Sequence, residues 1–183
     1  FFYLKKKIKN NKNSLKYIIS NFTIPRLNKK NNRYNKKTGN GFFNDLAVYL
    51  LAVESNLVET SKKKIKIIQK TISKSVPLKG YINIRNKKSN HFYFWGEGQA
   101  YANNIKIEFN NMSIFVNNFF SKILNKEIEV LLHQEKLKKI RFKPTDQFEL
   151  MFKTILNNFK NKKFILENIK KILLNAELKE KIK

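Results

Sequence analysis

The sequence predicts an α+β fold: an antiparallel sheet with two helices packed on one face, an extended basic N-terminal arm and an appended C-terminal helical hairpin. Two observations predict this fold. Hydrophobic residues make up 42% of the 183 residues, which is enough for a packed core. Short alternating apolar runs, typical of strands, stand among longer runs with helical spacing. At this length we expect one compact domain with extensions.

The N-terminal segment 1–41 carries charge of one sign. Lys and Arg occur twelve times between Lys5 and Lys37, and no acidic residue precedes Asp45. With Asn and Gly interspersed, residues 26–41 cannot bury enough apolar surface to fold alone. We therefore expect residues 1–41 to be an extended basic arm that becomes ordered on a partner.

Two helices are predicted within the core, which we place at residues 42–143. The first follows Thr60 and Ser61, a pair suited to a helix N-cap, and Lys fills its outer positions. Its apolar residues, near helical spacing, are Ile65, Ile68, Ile72 and Val76. The apolar residues of the second predicted helix are Phe120, Ile123, Leu124, Ile128, Leu131 and Leu132.

Strands are predicted where apolar and polar residues alternate. Such runs are found at 81–85 and 91–95, and a closing strand is expected at 139–142. Residues 105–109 and 112–116 alternate on either side of Asn110 and Asn111, which predicts a hairpin.

A change of pattern at Pro144 marks the C-terminal part, residues 144–183. Asp146 with Glu149 resembles a capping box at a helix start. Two amphipathic stretches follow, so we expect a helical extension. Its Phe-rich stripes favour contact with a neighbouring protein.

The formal net charge of +26 is the strongest indication of function. Such self-repulsion does not stabilise a lone globular protein, so a polyanionic partner is expected: RNA, DNA or an anionic membrane surface. No apolar run approaches the roughly 18 residues of a membrane span. The absence of Cys excludes disulfides and a Cys nucleophile. We predict no catalytic residue, no metal and no cofactor.

Lysines and arginines outside the apolar stripes are the predicted phosphate contacts of an RNA-binding surface. They are Arg26, Lys29, Lys30, Arg33, Lys36 and Lys37 in the arm, Lys62, Lys63, Lys66 and Lys70 on the first helix, and Arg85, Lys87 and Lys88 in the following loop. The candidates for stacking on exposed bases are His91, Tyr93, Trp95 and Tyr101. The alternative for these aromatic residues is simple core packing.

Several short segments resemble one ribosomal family. They are residues 51–55 (LAVES), the basic segment from Thr60, residues 80–84 (GYINI), residues 95–100 (WGEGQA) and residues 139–142 (KIRF). In this order they resemble the family of large-subunit ribosomal protein sixteen, here called the L-sixteen family, over residues 25–142. Glu97 and Gln99 depart from the family, which usually has Lys there.

The resemblance implies a structural constituent of the large ribosomal subunit, not an enzyme, that supports translation. Its implied partners are ribosomal RNA near the aminoacyl-tRNA site, neighbouring ribosomal proteins and transfer RNA. Lys outnumbers Arg by 35 to 4, which indicates an AT-rich genome. We therefore expect a mitochondrial ribosome, with a plastid as the alternative.

Other functions remain open from the sequence. One is another ribosomal or ribosome-assembly protein that binds RNA. A second is an organelle intron endonuclease or maturase, whose metal would need gathered carboxylates such as Asp45, Glu54 and Glu59. A third is binding to an anionic membrane surface through basic amphipathic helices.

Overall fold

A computed structural model describes residues 1–38, 41–58, 64–73, 76–86, 88–121 and 126–180, with the side chains of residues 64–73 and 147 outside the description. The coarse prediction is confirmed, since helices pack against one sheet in an α+β arrangement. The sheet is mixed, however, and the helices that cover it are not the predicted ones.

Eight strands form the sheet. They are β1 (Leu15–Ile24), β2 (Lys64–Ser73), β3 (Val76–Arg85), β4 (Asn90–Glu97), β5 (Ala102–Phe109), β6 (Ser113–Asn117), β7 (Ile128–His133) and β8 (Leu137–Phe142). Their order across the sheet is β2-β3-β4-β1-β5-β6-β7-β8. β1 runs parallel to β4, and the other neighbouring pairs are antiparallel. The carboxyl ends of β1 and β4 therefore meet at one edge.

The described helices lie before, between and after the strands. They are α1 (Phe2–Asn10), α2 (Val48–Val53), α3 (Gln147–Asn158) and α4 (Lys162–Glu180), with one 3-10 turn at Asn32–Tyr34. Single π-helical turns, Phe43–Ala47 and Glu54–Val58, continue α2 at both ends. Residues 43–58 thus form one continuous helix, which we call the central helix.

The predicted extended arm over residues 1–41 is not confirmed, because β1 lies in the middle of the sheet. From Ile18 onward its side chains alternate, with Ile18, Ser20 and Phe22 buried, and a register shift between Leu15 and Tyr17 allows Leu15 to be buried as well. The preceding helix α1 buries Leu4 and Ile8, which are four residues apart and share one face. The many lysines of this segment occupy the outward positions and conceal its amphipathic pattern.

Both predicted core helices are wrong where the structure describes them. Residues 64–73 form β2, paired with β3, and residues 128–133 form β7, paired with β6 and β8. The physical reason is the side-chain type: β-branched Ile and Val suit the pleated sheet, and Ile65 and Ile67 alternate with Lys. Thr60 and Ser61, the predicted N-cap pair, lie outside the described residues.

The predicted strands are confirmed as β3, β4 and β8, and the hairpin as β5 and β6. Phe109 N–H donates to the Met112 carbonyl at 2.8 Å, which closes the hairpin around Asn110 and Asn111. Period-two alternation was therefore a reliable signal, whereas helical spacing of β-branched residues was not.

One face of the sheet is covered and carries the core. Ile82, Ile84, Ile105 and Ile107 on this face are fully buried. The central helix covers it with Leu46, Leu50 and Leu51, among others. The opposite face is open, and Tyr81 stacks there on Phe94 with ring centroids 5.7 Å apart.

Two helices follow the sheet. The Asp146 side chain accepts hydrogen bonds from Phe148 N–H and Glu149 N–H, which confirms the predicted cap of α3. α4 contacts the central helix, and its Leu178 is buried. Many apolar side chains of both helices are exposed in this chain. Among the described residues, no helix combines the length and apolar character needed to cross a membrane.

Candidate functional site

A recess with charged walls lies where β1 and β4 both end. The two strands end in register, with Ile24 opposite Glu97. Residues 25–38 leave β1, cross this edge and lead toward the central helix. We call the recess between this segment, β3 and the turn after β4 the strand-end cavity.

Backbone contacts attach the crossing segment and the start of the central helix to the sheet. Gly41 N–H donates to the Arg33 carbonyl at 3.0 Å, and Phe42 N–H donates to the Pro77 carbonyl at 2.9 Å. Gly41 has a φ of +81°, and an added Cβ would lie 2.6 Å from Pro77 Cδ. Only glycine satisfies both conditions.

Glu97 anchors the crossing segment from the sheet side. Its carboxylate, 6% exposed, accepts hydrogen bonds from Leu27 N–H at 3.2 Å and from the Tyr34 hydroxyl. Burial, reinforced by the hydrogen bond to Glu97 and its charge, raises the pKa of Tyr34 above its ordinary value. The phenol therefore stays protonated and keeps donating across the neutral pH range.

The strand-end cavity has a volume of about 590 Å³. Arg26 and Lys29 lie on its wall from the crossing segment, and Lys79 lies on the wall formed by β3. This volume falls within the range of small-molecule sites, which is about 300–1,000 Å³. Three cations around one largely buried carboxylate make its electrostatic potential positive.

The central helix presents a second, more open group of polar residues at its start. Arg33 Nε lies 2.7 Å from Asp45 Oδ2, with both side chains more than a third exposed. Tyr49 follows one helical turn later, is 47% exposed and packs edge-on against Phe22 at 5.4 Å between ring centroids. It also lines an apolar cavity of about 800 Å³ together with Phe120.

A buried polar cluster lies at the other end of the central helix. Glu54 Oε2 is 2.7 Å from His91 Nδ1 and accepts from the Tyr93 hydroxyl at 2.6 Å. Because a carboxylate only accepts, Nδ1 carries the proton, and Nε2 of a neutral ring accepts from Ser89 at 2.9 Å. Burial, then the charge and hydrogen bond of Glu54, raise the pKa of Tyr93 well above its ordinary value.

The structure separates the predicted phosphate contacts. The arm group, Arg26, Lys29, Lys30, Arg33, Lys36 and Lys37, lies in the crossing segment at the carboxyl end of β1. Arg85 and Lys88 lie at the opposite end of the sheet, where Lys88 Nζ donates to Asn13 Oδ1 at 3.2 Å. Lys66 and Lys70 are on β2 with undescribed side chains, and Lys62, Lys63 and Lys87 fall outside the described residues.

The predicted base-stacking residues are mostly core. His91 and Tyr93 are fully buried and Trp95 is 3% exposed, so no ring face is accessible to a nucleotide base. Trp95 packs edge-on against Phe43 of the central helix. Of the four predicted stacking residues, only Tyr101 is exposed. Phe94, between Tyr93 and Trp95, lies on the open face instead.

The carboxylates considered for a metal nuclease do not gather. Asp45 pairs with Arg33, Glu54 is buried against His91, and Glu59 lies outside the described residues. Within the described ranges, no group of three His, Asp or Glu residues could hold a metal ion. Sequence reasoning noted Asp45 and Glu54 but missed their partners, which depend on how distant segments pack.

Comparison with known proteins identifies the fold by structure rather than by sequence. No protein family and no curated protein matches the sequence. The structure matches a tyrosine-to-phenylalanine variant of KijD10, a 3-ketoreductase from Actinomadura kijaniata, in complex with TDP-benzene and NADP. The TM-score is 0.78 at 13% identity, over 96% of this chain and 57% of that chain.

A second match is the aldose-aldose oxidoreductase from Caulobacter crescentus complexed with glycerol. Its TM-score is 0.63 at 10% identity, over 80% of this chain and 44% of that chain. The chain thus spans about half the length of the solved structures it resembles.

These matches overturn the ribosomal interpretation. The L-sixteen resemblance is wrong, and so is the structural role in the ribosome that it implied. The assignment to a non-enzyme is wrong as well. The predicted partners, which were ribosomal RNA, ribosomal proteins and transfer RNA, are also contradicted. The intron endonuclease and ribosome-assembly alternatives do not match either. Lysine-rich composition had inflated short similarities to a basic family. What the chain shares with known proteins is the fold of one part of these oxidoreductases.

Proposed function

We propose that this chain is the sheet-bearing part of a nicotinamide-dependent oxidoreductase that reduces a ketone, or oxidises an alcohol, of a sugar-like substrate. The observation that carries the proposal is the structural match over 96% of the chain to a 3-ketoreductase bound to NADP. The match to an aldose-aldose oxidoreductase supports the same substrate class.

The cofactor itself has no complete cradle among the residues that the structure describes. A dinucleotide pyrophosphate is usually held where a strand leads through a glycine-rich turn into a helix. Here β1 leads into Pro25 and Arg26, and β4 leads through Gly96 and Gly98 into another strand. The described residues therefore do not fit a whole dinucleotide, and the proposed role of this chain lies on the substrate side.

We assign proton transfer to Tyr49. Reduction of a ketone adds a proton to the oxygen, and a positioned side chain commonly supplies it. Tyr34 and Tyr93 are bound to Glu97 and Glu54, whereas Tyr49 is exposed on the central helix one turn after Asp45. The KijD10 structures also include a tyrosine-to-phenylalanine variant, which is consistent with a tyrosine of interest in that enzyme.

The test is turnover by the full-length protein with NADPH and a panel of ketoses and keto-sugars, followed as loss of nicotinamide absorbance. Tyr49→Phe should lower kcat by about 100-fold, the lower range for a general acid. Its melting temperature should change little, because the ring contacts remain. Tyr17→Phe, an equally conservative change on the open sheet face, should retain wild-type turnover.

Either of two results would contradict the proposal. One is no nicotinamide-dependent turnover with any carbonyl sugar. The other is equal turnover by Tyr49→Phe and Tyr17→Phe, which would remove Tyr49 from the mechanism.

The division into a core at 42–143 and a helical extension at 144–183 also stays a proposal, as does a mitochondrial or plastid location.

A further inference from the structure

Cations from two separate segments of the chain line the strand-end cavity. Arg26 and Lys29 come from the segment after β1, and Lys79 comes from β3. These segments belong to elements that are separated by β4 in the sheet. The arrangement is therefore a consequence of the fold and not of a run of lysines in the sequence.

Glu97 does not cancel this positive charge. The carboxylate is 6% exposed and its Oε1 atom already accepts from Leu27 N–H and the Tyr34 hydroxyl. Its role is to attach the crossing segment to the end of β4. With three cations and one carboxylate, the cavity retains a net of two positive charges.

Gly96 gives Lys79 its place at the cavity. The two residues face each other across the β3–β4 pair, and an added Cβ on Gly96 would lie 2.4 Å from Lys79 Cβ. The stem of Lys79 therefore occupies space that any side chain at position 96 would need. The absence of a side chain at Gly96 therefore leaves room for Lys79 beside the cavity.

We infer that the strand-end cavity binds the diphosphate group of a nucleotide-linked ligand, with Arg26, Lys29 and Lys79 as its charge partners. A diphosphate carries several negative charges on two linked groups, so it pairs with cations from two segments of the chain better than a single carboxylate does. The volume of about 590 Å³ leaves room for more than the phosphates. This inference rests on the proposed function, in which the chain is the substrate-binding part of an oxidoreductase.

Two ligands of such an enzyme contain a diphosphate: a nucleotide-sugar substrate and the dinucleotide cofactor. The structural neighbours illustrate both, since KijD10 was solved with TDP-benzene and NADP. The diphosphate is common to both ligands. Binding measurements with each ligand distinguish which of the two the cavity takes.

The first measurement is binding of inorganic pyrophosphate to the full chain by calorimetry at about 0.15 M salt, where charges farther apart than about 8 Å are screened. Lys79→Gln should weaken binding about tenfold, as expected for one charge-assisted contact. The matched control is Lys138→Gln, the same charge change on β8 at the opposite side of the sheet. It should stay within about twofold of wild type, because only screened, long-range charge is lost.

The second measurement repeats the comparison with thymidine diphosphate and with NADP⁺. Loss of affinity for thymidine diphosphate alone assigns the cavity to the substrate, and loss for NADP⁺ alone assigns it to the cofactor; both outcomes support a diphosphate site. Equal effects of Lys79→Gln and Lys138→Gln, or unsaturable pyrophosphate binding, overturn it. Pyrophosphate binding needs no turnover, so the diphosphate site can stand if no oxidoreductase activity is found. Equally, the oxidoreductase activity can stand if pyrophosphate does not bind.

Discussion

The two ends of the central helix carry the same kind of contact in different surroundings. At its start, Arg33 and Asp45 approach to 2.7 Å with side chains 38% and 37% exposed. Toward its end, Glu54 and His91 approach to the same 2.7 Å with both side chains fully buried. Distance alone would rank the contacts as equal, but burial makes the energetic consequences of breaking them very different.

The difference assigns separate roles to the two ends. The buried end fixes the helix on β4, because Glu54 holds both His91 and Tyr93 of that strand. The open end lies beside a shallow recess lined by Arg33, Asn44 and Asp45, where side chains remain accessible.

Glu54→Ala should produce the largest effect on stability. It leaves the His91 Nδ1–H and the Tyr93 hydroxyl buried without the acceptor they share. Breaking a buried polar network of this kind costs about 3–5 kcal/mol of unfolding free energy. Urea denaturation followed by circular dichroism measures the loss. Glu54→Gln, which keeps the volume and one acceptor, should lose less, and a loss below about 1 kcal/mol for Glu54→Ala would contradict the assigned role.

Tyr93→Phe should have a smaller effect that depends on pH. Removing the hydroxyl costs about 1.5–3 kcal/mol near neutral pH, the value of one hydrogen bond to a charged group. The pKa of Tyr93 is raised above 10.0, so the folded state holds its proton at pH values where the unfolded chain releases it. This contribution is complete below pH 10 and is lost as the pH rises beyond it.

The stability difference between wild type and Tyr93→Phe should therefore be constant below about pH 10 and shrink above it. Urea titrations of both proteins between neutral and alkaline pH measure this difference, and lysine titration cancels because it is common to both. A difference that grows with alkaline pH would show that Tyr93 is not buried as a neutral phenol.

The sequence predicted those parts of the fold whose pattern is local. The alternation in β3, β4, β5, β6 and β8 and the Asp146 cap depend on neighbouring residues only. β1 was missed because the absence of acidic residues was given more weight than the apolar residues Leu15, Ile18 and Phe22. Charge describes the surface of an element and says little about its backbone.

The candidate site could not be predicted from local pattern. Glu54 and His91 are 37 positions apart, and Tyr34 and Glu97 are 63 apart, so both pairs exist only once the strand order is known. Arg26 and Lys29 were predicted as phosphate contacts from their charge alone, and this stays a prediction. They line one cavity together with Lys79 because β1 and β3 flank β4, which no spacing in the sequence indicates.

Breaking the Arg33–Asp45 pair should have the smallest effect on stability. It tests most directly the difference between the exposed start and the buried end of the central helix. A double-mutant cycle with Arg33→Gln and Asp45→Asn should give a coupling of about 0.2–1 kcal/mol, the range of exposed pairs. The coupling should fall further near 1 M salt, where the screening length is about 3 Å. Unfolding by urea at both salt concentrations measures it. A coupling energy as large as the loss of unfolding free energy in Glu54→Ala would mean that the open end also fixes the helix. Solvent would then fail to replace the partner of each charge.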